Sequence, residues 1–138
     1  MYHYRPKRKI YKSYPRPKAC PFCSEAEFSD NLISETEHTR IIRNRTPYDV
    51  WELRDVTDHL MVIPKQHTAD LRDISDAAQL EIIKVIADYE AAGYNVYARG
   101  RGSSTRSVEH QHTHLIKTTQ KIARGSLTLM KPYLVVKF

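Results

Sequence analysis

Ser107-Val108-Glu109-His110-Gln111-His112-Thr113-His114-Leu115-Ile116 is the stretch whose reading decides the fold. Its three histidines stand at alternate positions and it ends on an apolar pair. In a β-strand, alternate side chains share a face, and each two-residue step rises roughly 7 Å. The spacing therefore predicts a strand over Val108–Ile116 with His110, His112 and His114 along one side. Three imidazoles are poor packing material, but they suit metal binding, phosphate contact or nucleophilic chemistry. The plain alternative is a polar strand face carrying solvated histidines.

Arg99-Gly100-Arg101-Gly102-Ser103-Ser104-Thr105-Arg106 leads into that strand. Glycine lets backbone N–H groups approach a phosphate, and arginine meets it with a charged fork. A flexible turn is the bland reading of the same loop. Further back, Ala78, Ile82, Ile83, Ile86 and Tyr89 recur at helical spacing. They predict one apolar helix face, with Asp73 or Ser75 as cap and Gly93 as terminator. Tyr94–Ala98 and His59–Ile63 read as strands, the second stopped by Pro64. Thr39–Arg43 and Tyr48–Leu53 read as a hairpin about the turn Asn44–Pro47. Glu25–Asp30 reads as a short helical turn. Leu127–Met130 and Tyr133–Phe138 read as closing strands, split by Pro132.

The chain has 138 residues and is 41% hydrophobic, which fits one domain with a modest core. No apolar run approaches the ~20 residues of a membrane span, and the basic N-terminus lacks the apolar core of a signal peptide. A cytoplasmic protein with no membrane contact is the expectation. The net charge of +6 is unevenly placed: residues 1–19 carry Arg5, Lys7, Arg8, Lys9, Lys12, Arg16 and Lys18 and no acid, so the body is nearly neutral. In the same segment Pro6, Pro15 and Pro17 work against helix and central strand. Residues 1–19 thus read as a basic, Tyr/Pro-rich disordered tail. The interleaved Tyr2, Tyr4, Tyr11 and Tyr14 suggest, as a second reading, an arm for RNA or another acidic partner. The two cysteines, Cys20 and Cys23, flank Pro21-Phe22. They read as a redox dithiol or as half a zinc site.

His110-Gln111-His112-Thr113-His114-Leu115-Ile116 resembles the His-x-His-x-His-x-x signature of the histidine-triad family of nucleotide hydrolases and transferases. The family usually has apolar residues between its histidines, where this chain has Gln111 and Thr113. Asp58-His59-Leu60-Met61-Val62-Ile63-Pro64-Lys65-Gln66-His67 is similar to the family's Gly-His-apolar-Val-Ile-Pro-Lys-x-His stretch, with Asp58 in place of the common small residue. Ser107-Val108 and Cys20-Pro21-Phe22-Cys23 also match, the second as in zinc-containing members. The resemblance spans about residues 20–120.

It implies an α+β domain over residues 20–138, with an antiparallel sheet of about five strands, one main helix and a zinc-stapled N-terminus. It implies His112 as nucleophile toward the α-phosphorus of a nucleotide, through a nucleotidyl-histidine intermediate. His114 would contact phosphate or leaving group, Ser107 would donate a hydrogen bond to phosphate, and His59 would lie beside the site. Arg106 stands where many members have Gln; its charge, rather than the family, suggests that it would offer a cation to transition-state charge. Asn95 and the arginines Arg99 and Arg101 stand near the family's phosphate loop. Trp51, Glu52 and Leu53 lie on a strand expected to wall the nucleotide pocket, where Glu52 is a candidate for ribose hydroxyls and a solvent-facing carboxylate is the equal alternative. A structural Zn2+ would be held by Cys20, Cys23, His67 and His110, a closed set of two thiolates and two imidazoles. A homodimer is implied as well. The expected activity is hydrolysis or nucleotidyl transfer on dinucleoside polyphosphates or nucleoside phosphoramidates. The rival expectation is a zinc-stabilised nucleotide- or RNA-binding module with little or no catalysis.

Overall fold

The computed structural model describes residues 3–4, 19–122, 126–129 and 134–137. The remainder of the basic tail, and with it the question of an RNA arm, lies outside the described residues. Strand β1 is His3–Tyr4. Helix α1 is Glu25–Phe28, followed by a 3-10 turn at Ser29–Asn31. Then come β2 (Leu32–Glu35), β3 (Thr39–Arg43), β4 (Val50–Trp51) and β5 (Arg54–Pro64). Helix α2 spans Asp76–Ala91, and β6 (Asn95–Ala98), β7 (Thr113–Ile122), β8 (Ser126–Leu129) and β9 (Leu134–Lys137) complete the chain.

Strand β5 organises the main sheet. Along one edge it pairs with β7, from Arg54↔Ile122 to Val62↔Thr113. Its other edge is shared: β4 takes Arg54 and Asp55, and β3 takes Leu60 to Pro64. Strand β2 lies outside β3, β6 outside β7, and β1 on β4. Every pairing is antiparallel, as the α+β reading expects; β8 and β9 pair separately with each other. Five strands of the main sheet have four residues or more.

The continuous apolar run in β5 follows from cover on both faces. Leu60 and Val62 pack with Ile74, Ala78 and Ile82 on the α2 side, together with Ile41 and Leu115. Met61 and Ile63 pack with Phe22, Phe28 and Ile42 on the other. Alternation extends this to the polar residues. His59 belongs to the face of Met61 and Ile63, away from α2. Leu115 faces the helix, so His114 and Ile116 face away from it. The histidines are thereby directed to the face that the N-terminal segment covers.

Helix α2 begins at Ser75, whose hydroxyl accepts from Ala78 N at 3.2 Å. Asp73 sits instead in a preceding 3-10 turn. At the far end Gly93 adopts φ +86°, a conformation that suits glycine. Ala78 and Ile82 are buried and Ile86 and Tyr89 pack against the core, but Ile83 is 58% exposed, so the apolar face is narrower than its spacing predicts.

Three strand expectations are corrected. The hairpin between residues 39–43 and 48–53 does not form; β3 pairs with β2 and β5, and β4 turns into β5 through Glu52 and Leu53, both at positive φ. The segment after β3 is diverted because it wraps His59: Asn44 N donates to the His59 carbonyl at 2.8 Å and Tyr48 N to the ring at 3.0 Å. The histidine strand starts at Thr113, not Val108, so only His114 of the three lies in a strand. Backbone before it is bonded elsewhere, with Gln111 N donating to Thr68 O at 2.7 Å. Strand β2 was not expected, because its residues are all exposed and show no alternation. Among the described residues no helix is long and apolar enough to cross a membrane.

Leu115 is fully buried between β5, β7 and α2. Leu115→Ala is expected to lower the unfolding free energy by about 2–5 kcal/mol. Ser75→Ala, which removes the helix cap, should cost about 1 kcal/mol. Urea denaturation followed by circular dichroism measures both.

Candidate functional site

Four side chains from three distant segments converge at the N-terminal knuckle. The ligand atoms of Cys20, Cys23, His67 and His110 all lie within 4.8 Å of one another. Cys20 Sγ and Cys23 Sγ are each 3.4 Å from His110 Nδ1, and Cys23 Sγ is 3.3 Å from His67 Nδ1. A tetrahedral ion with the usual Zn–S and Zn–N lengths sets sulfur and nitrogen about 3.5 Å apart. The group thus has the donor types and spacing to hold a metal ion. The two thiols come together because Cys23 N and Ser24 N both donate to the Cys20 carbonyl at 3.1 Å. Burial, then the neighbouring Cys20, raises the Cys23 thiol pKa in the absence of an ion.

The orientation of His110 is decided by its other nitrogen. Nε2 lies 2.9 Å from the Pro64 carbonyl, which can only accept, so Nε2 carries the proton. Nδ1 then presents a lone pair to the thiols, as a metal-ligating imidazole requires. Burial drives the pKa of His110 down to about 4, against the favourable bond to Pro64. The ring is neutral at physiological pH.

The same reasoning gives each remaining histidine a different task. His112 Nδ1 lies 2.9 Å from the His110 carbonyl and must be the N–H, so Nε2 holds the lone pair. The ring is 6% exposed and sits edge-on to Phe22 at 5.2 Å and to His114 at 5.0 Å. Burial lowers its pKa, and the cations of Arg106 and Arg99 lower it further, against the bond to the His110 carbonyl. A buried neutral imidazole with an unprotonated Nε2 is a competent nucleophile.

His59 receives the Tyr48 amide at Nδ1, 3.0 Å away, and a backbone amide cannot exchange donor for acceptor. Nε2 of His59 faces the His114 ring, 2.9 Å from its Nδ1. Asn44 is anchored by Thr46 N donating to its Oδ1 at 2.9 Å, and its amide nitrogen stands 3.1 Å from His59 Nε2. Tyr48 and Tyr97 flank the His114 ring at 5.8 and 5.9 Å.

Both departures from the familiar motif have structural partners. Gln111 and Thr113, the polar spacers, are buried and bonded to each other, Nε2 to Oγ1 at 3.2 Å. Asp58 accepts from its neighbour His59 N, from Arg43 across β3, and from the Tyr94 hydroxyl at 2.7 Å. Burial, then that bond to Asp58, pushes the Tyr94 pKa up to about 12.

The other expected residues divide. Arg106 sends Nε to the Val108 carbonyl at 3.2 Å and Nη1 to the Ala69 carbonyl at 3.0 Å. Ser107 is exposed in the loop between Arg106 and the histidines. Glu52 is exposed in the left-handed β4–β5 turn and has no hydrogen bond to the histidines. Asn95 commits its amide to the Ile116 carbonyl at 3.2 Å. Trp51 is core, stacked on Tyr48 at 5.8 Å. Sequence reasoning missed Phe22, Tyr48, Asn44 and Tyr97 as neighbours of the histidines. For Tyr97 the signal is its register opposite His114, which only strand pairing reveals.

A family model described as the HIT domain matches residues 25–121. An adenosine 5′-monophosphoramidase from Candida albicans is 25% identical over 111 residues, 71% of this chain and 69% of that protein. Among solved structures, a histidine triad nucleotide-binding protein from Candida albicans superposes with a TM-score of 0.58 at 24% identity, covering 81% of this chain and 84% of that one. A histidine triad protein from Clostridium difficile gives 0.55 at 21% identity, covering 80% and 99%. These structural likenesses carry the fold.

The four-ligand cluster makes a measurable prediction. Protein purified without chelator should contain about one zinc per chain by elemental analysis. Cys23→Ser, which keeps the His110–Pro64 bond, should weaken zinc binding by about 100-fold or more, since even an outer-shell change costs roughly 10–100-fold. Chelator should lower the melting temperature of the parent protein and leave that of Cys23→Ser nearly unchanged.

Proposed function

The chain belongs to the HIT domain family, and from that premise we propose that it is a nucleotide hydrolase or nucleotidyltransferase acting at an α-phosphate. One observation carries this reading: His112 has its Nδ1 proton on the His110 carbonyl, which leaves the Nε2 lone pair available for attack, with the His114 ring edge-on 5.0 Å away. In the proposed reaction His112 Nε2 attacks the α-phosphorus. The new N–P bond forms as the bond to the leaving group breaks, giving a nucleotidyl-histidine. Water then attacks phosphorus, the N–P bond breaks, and the nucleoside monophosphate is released with His112 regenerated. His114 Nε2–H donates to a non-bridging oxygen, and His59 holds it there. Ser107 adds a hydroxyl, and Arg106 adds positive charge where the transition state gathers negative charge. Nucleoside phosphoramidates and dinucleoside polyphosphates are the substrate classes; the Candida albicans relative named as an adenosine 5′-monophosphoramidase supports the first.

Cys20, Cys23, His67 and His110 would hold a structural zinc ion. With four protein ligands it leaves no open position, so it would fix the knuckle and supply no chemistry to the reaction. A homodimer through α2 and β6 completes the reading. Leu80 and Ile83 share a helix face at 55% and 58% exposure, and Val96 on β6 is 44% exposed. Ile83→Lys should then shift the protein from dimer to monomer in sedimentation velocity.

The nucleophile is tested by turnover and trapping. His112→Ala should abolish hydrolysis of both substrate classes, while deletion of residues 1–19 should spare it. Acid-sensitive mass gain of one nucleotidyl group should map to His112 in the quenched parent enzyme. Because burial lowers the His112 pKa and the neutral form is the active one, kcat/KM should hold down to the ordinary histidine value of 6.5 and fall only below it. An acid limb above 6.5 contradicts the assignment.

A further inference from the structure

We propose that Arg106, with Arg99 beside it, is a specificity-determining anion anchor that favours substrates whose leaving group is itself a phosphate over those that release an uncharged amine. The inference rests on the nucleotidyl-transfer reading above and adds to it which bond partner the site is built for.

Arg106 is a prepared cation. Two of its three nitrogens are fixed by neutral carbonyls, Val108 O at 3.2 Å and Ala69 O at 3.0 Å. Among the described residues it enters no ion pair. Its remaining nitrogen, Nη2, is buried and has no hydrogen-bond partner. A buried donor left unpaired is costly, and a ligand oxygen is the natural acceptor. The carbonyls that hold the fork belong to the site itself. Thr68, next to Ala69, accepts from Gln111 N at 2.7 Å, and Val108 leads directly into the histidines. Arg99 approaches from the other strand: Nε bonds the Tyr97 hydroxyl at 3.2 Å and Nη1 the Thr105 carbonyl at 2.8 Å, and Tyr97 stacks on His114.

Charge decides between the two leaving groups. A phosphoramidate brings one anionic phosphate, which the His114 N–H, Ser107 and one cation already serve. The second guanidinium then meets no further charge on the substrate. A polyphosphate leaving group reverses the balance, because bond breaking places further negative charge on the departing oxygen and its phosphates. The neighbouring cations differ: Arg72 pairs with Asp70 at 2.8 Å, and the same carboxylate faces Arg101. From Arg99 to Val108 the loop contains no acid, and its two glycines leave open space where a Cβ would stand.

The test uses the zinc-loaded full chain and two probes that share the adenylyl group, diadenosine tetraphosphate and adenosine 5′-phosphoramidate. Arg106→Gln should lower kcat/KM for the tetraphosphate by about 100-fold, and that loss should exceed the phosphoramidate loss by about 10-fold or more. Arg106→Lys should recover part of the tetraphosphate rate, since charge is kept and the fork is lost. Arg99→Gln should show the same bias more weakly. Added salt should depress tetraphosphate turnover more steeply in the parent than in Arg106→Gln. Equal losses on both probes, with unaltered melting temperature, overturn the proposal and leave Arg106 a general phosphate or scaffold residue. Failure of the parent protein to turn over either probe removes the nucleotidyl-transfer reading and this proposal with it.

Discussion

His110 is held from three directions, and the site depends on that constraint. Its Nε2–H is bound to the Pro64 carbonyl, its Nδ1 faces Cys20 and Cys23, and its own carbonyl receives the Nδ1–H of His112. Each bond removes one freedom. The first fixes the ring plane and tautomer, the second ties the ring to the N-terminal knuckle, and the third fixes the tautomer of the neighbouring histidine. Ring and carbonyl belong to one residue, so a backbone shift at His110 that disturbed the ligand cluster would also displace the carbonyl that His112 relies on. Ligand cluster and nucleophile are therefore mechanically one object, although they share no side chain.

The scaffold that makes this possible is β5, which is covered on both faces. Leu60 and Val62 serve α2, and Met61 and Ile63 serve the knuckle. His59 falls on the knuckle face by alternation along β5, and His114 by alternation from Leu115 along β7. Polar groups on such a buried face must find partners, and they do so mostly with backbone: Tyr48 N for His59, Pro64 O for His110, His110 O for His112. Backbone partners cannot change donor for acceptor, so the proton positions are set by the fold.

Much of this was legible in the sequence where a local signal and a spacing agree. The helix from Ser75 to Gly93 and the strand Thr39–Arg43 belong to that class. The group of Cys20, Cys23, His67 and His110 came through resemblance instead, since Cys20 and Cys23 alone leave a dithiol open. What sequence concealed is partnership. A run such as Thr39–Arg43 followed by turn residues suggests a hairpin, but the apolar β5 offered a better neighbour and Asn44–Asp49 was taken up in holding His59. The alternate histidines suggested a uniform strand, but periodicity does not reveal that Gln111 N is claimed by Thr68. Ile83 looked like core because its spacing fits, and spacing does not say how wide a face the sheet can cover. Glu52 looked like a pocket wall because the strand was extended two residues too far, into a left-handed turn.

The knuckle closes a very long loop. Cys20 and His110 are 90 residues apart in the chain, and Cys23 and His67 are 44 apart. Bringing the ends of a flexible 90-residue segment together costs on the order of 4 kcal/mol in chain entropy. Contacts between residues so far apart in the chain are intrinsically slow to form. During synthesis the thiols emerge first and wait for most of the domain before their imidazole partners arrive. A chain that stops short of residue 110 lacks His112 and all of β7, and so loses the reactive centre together with the long partner of β5.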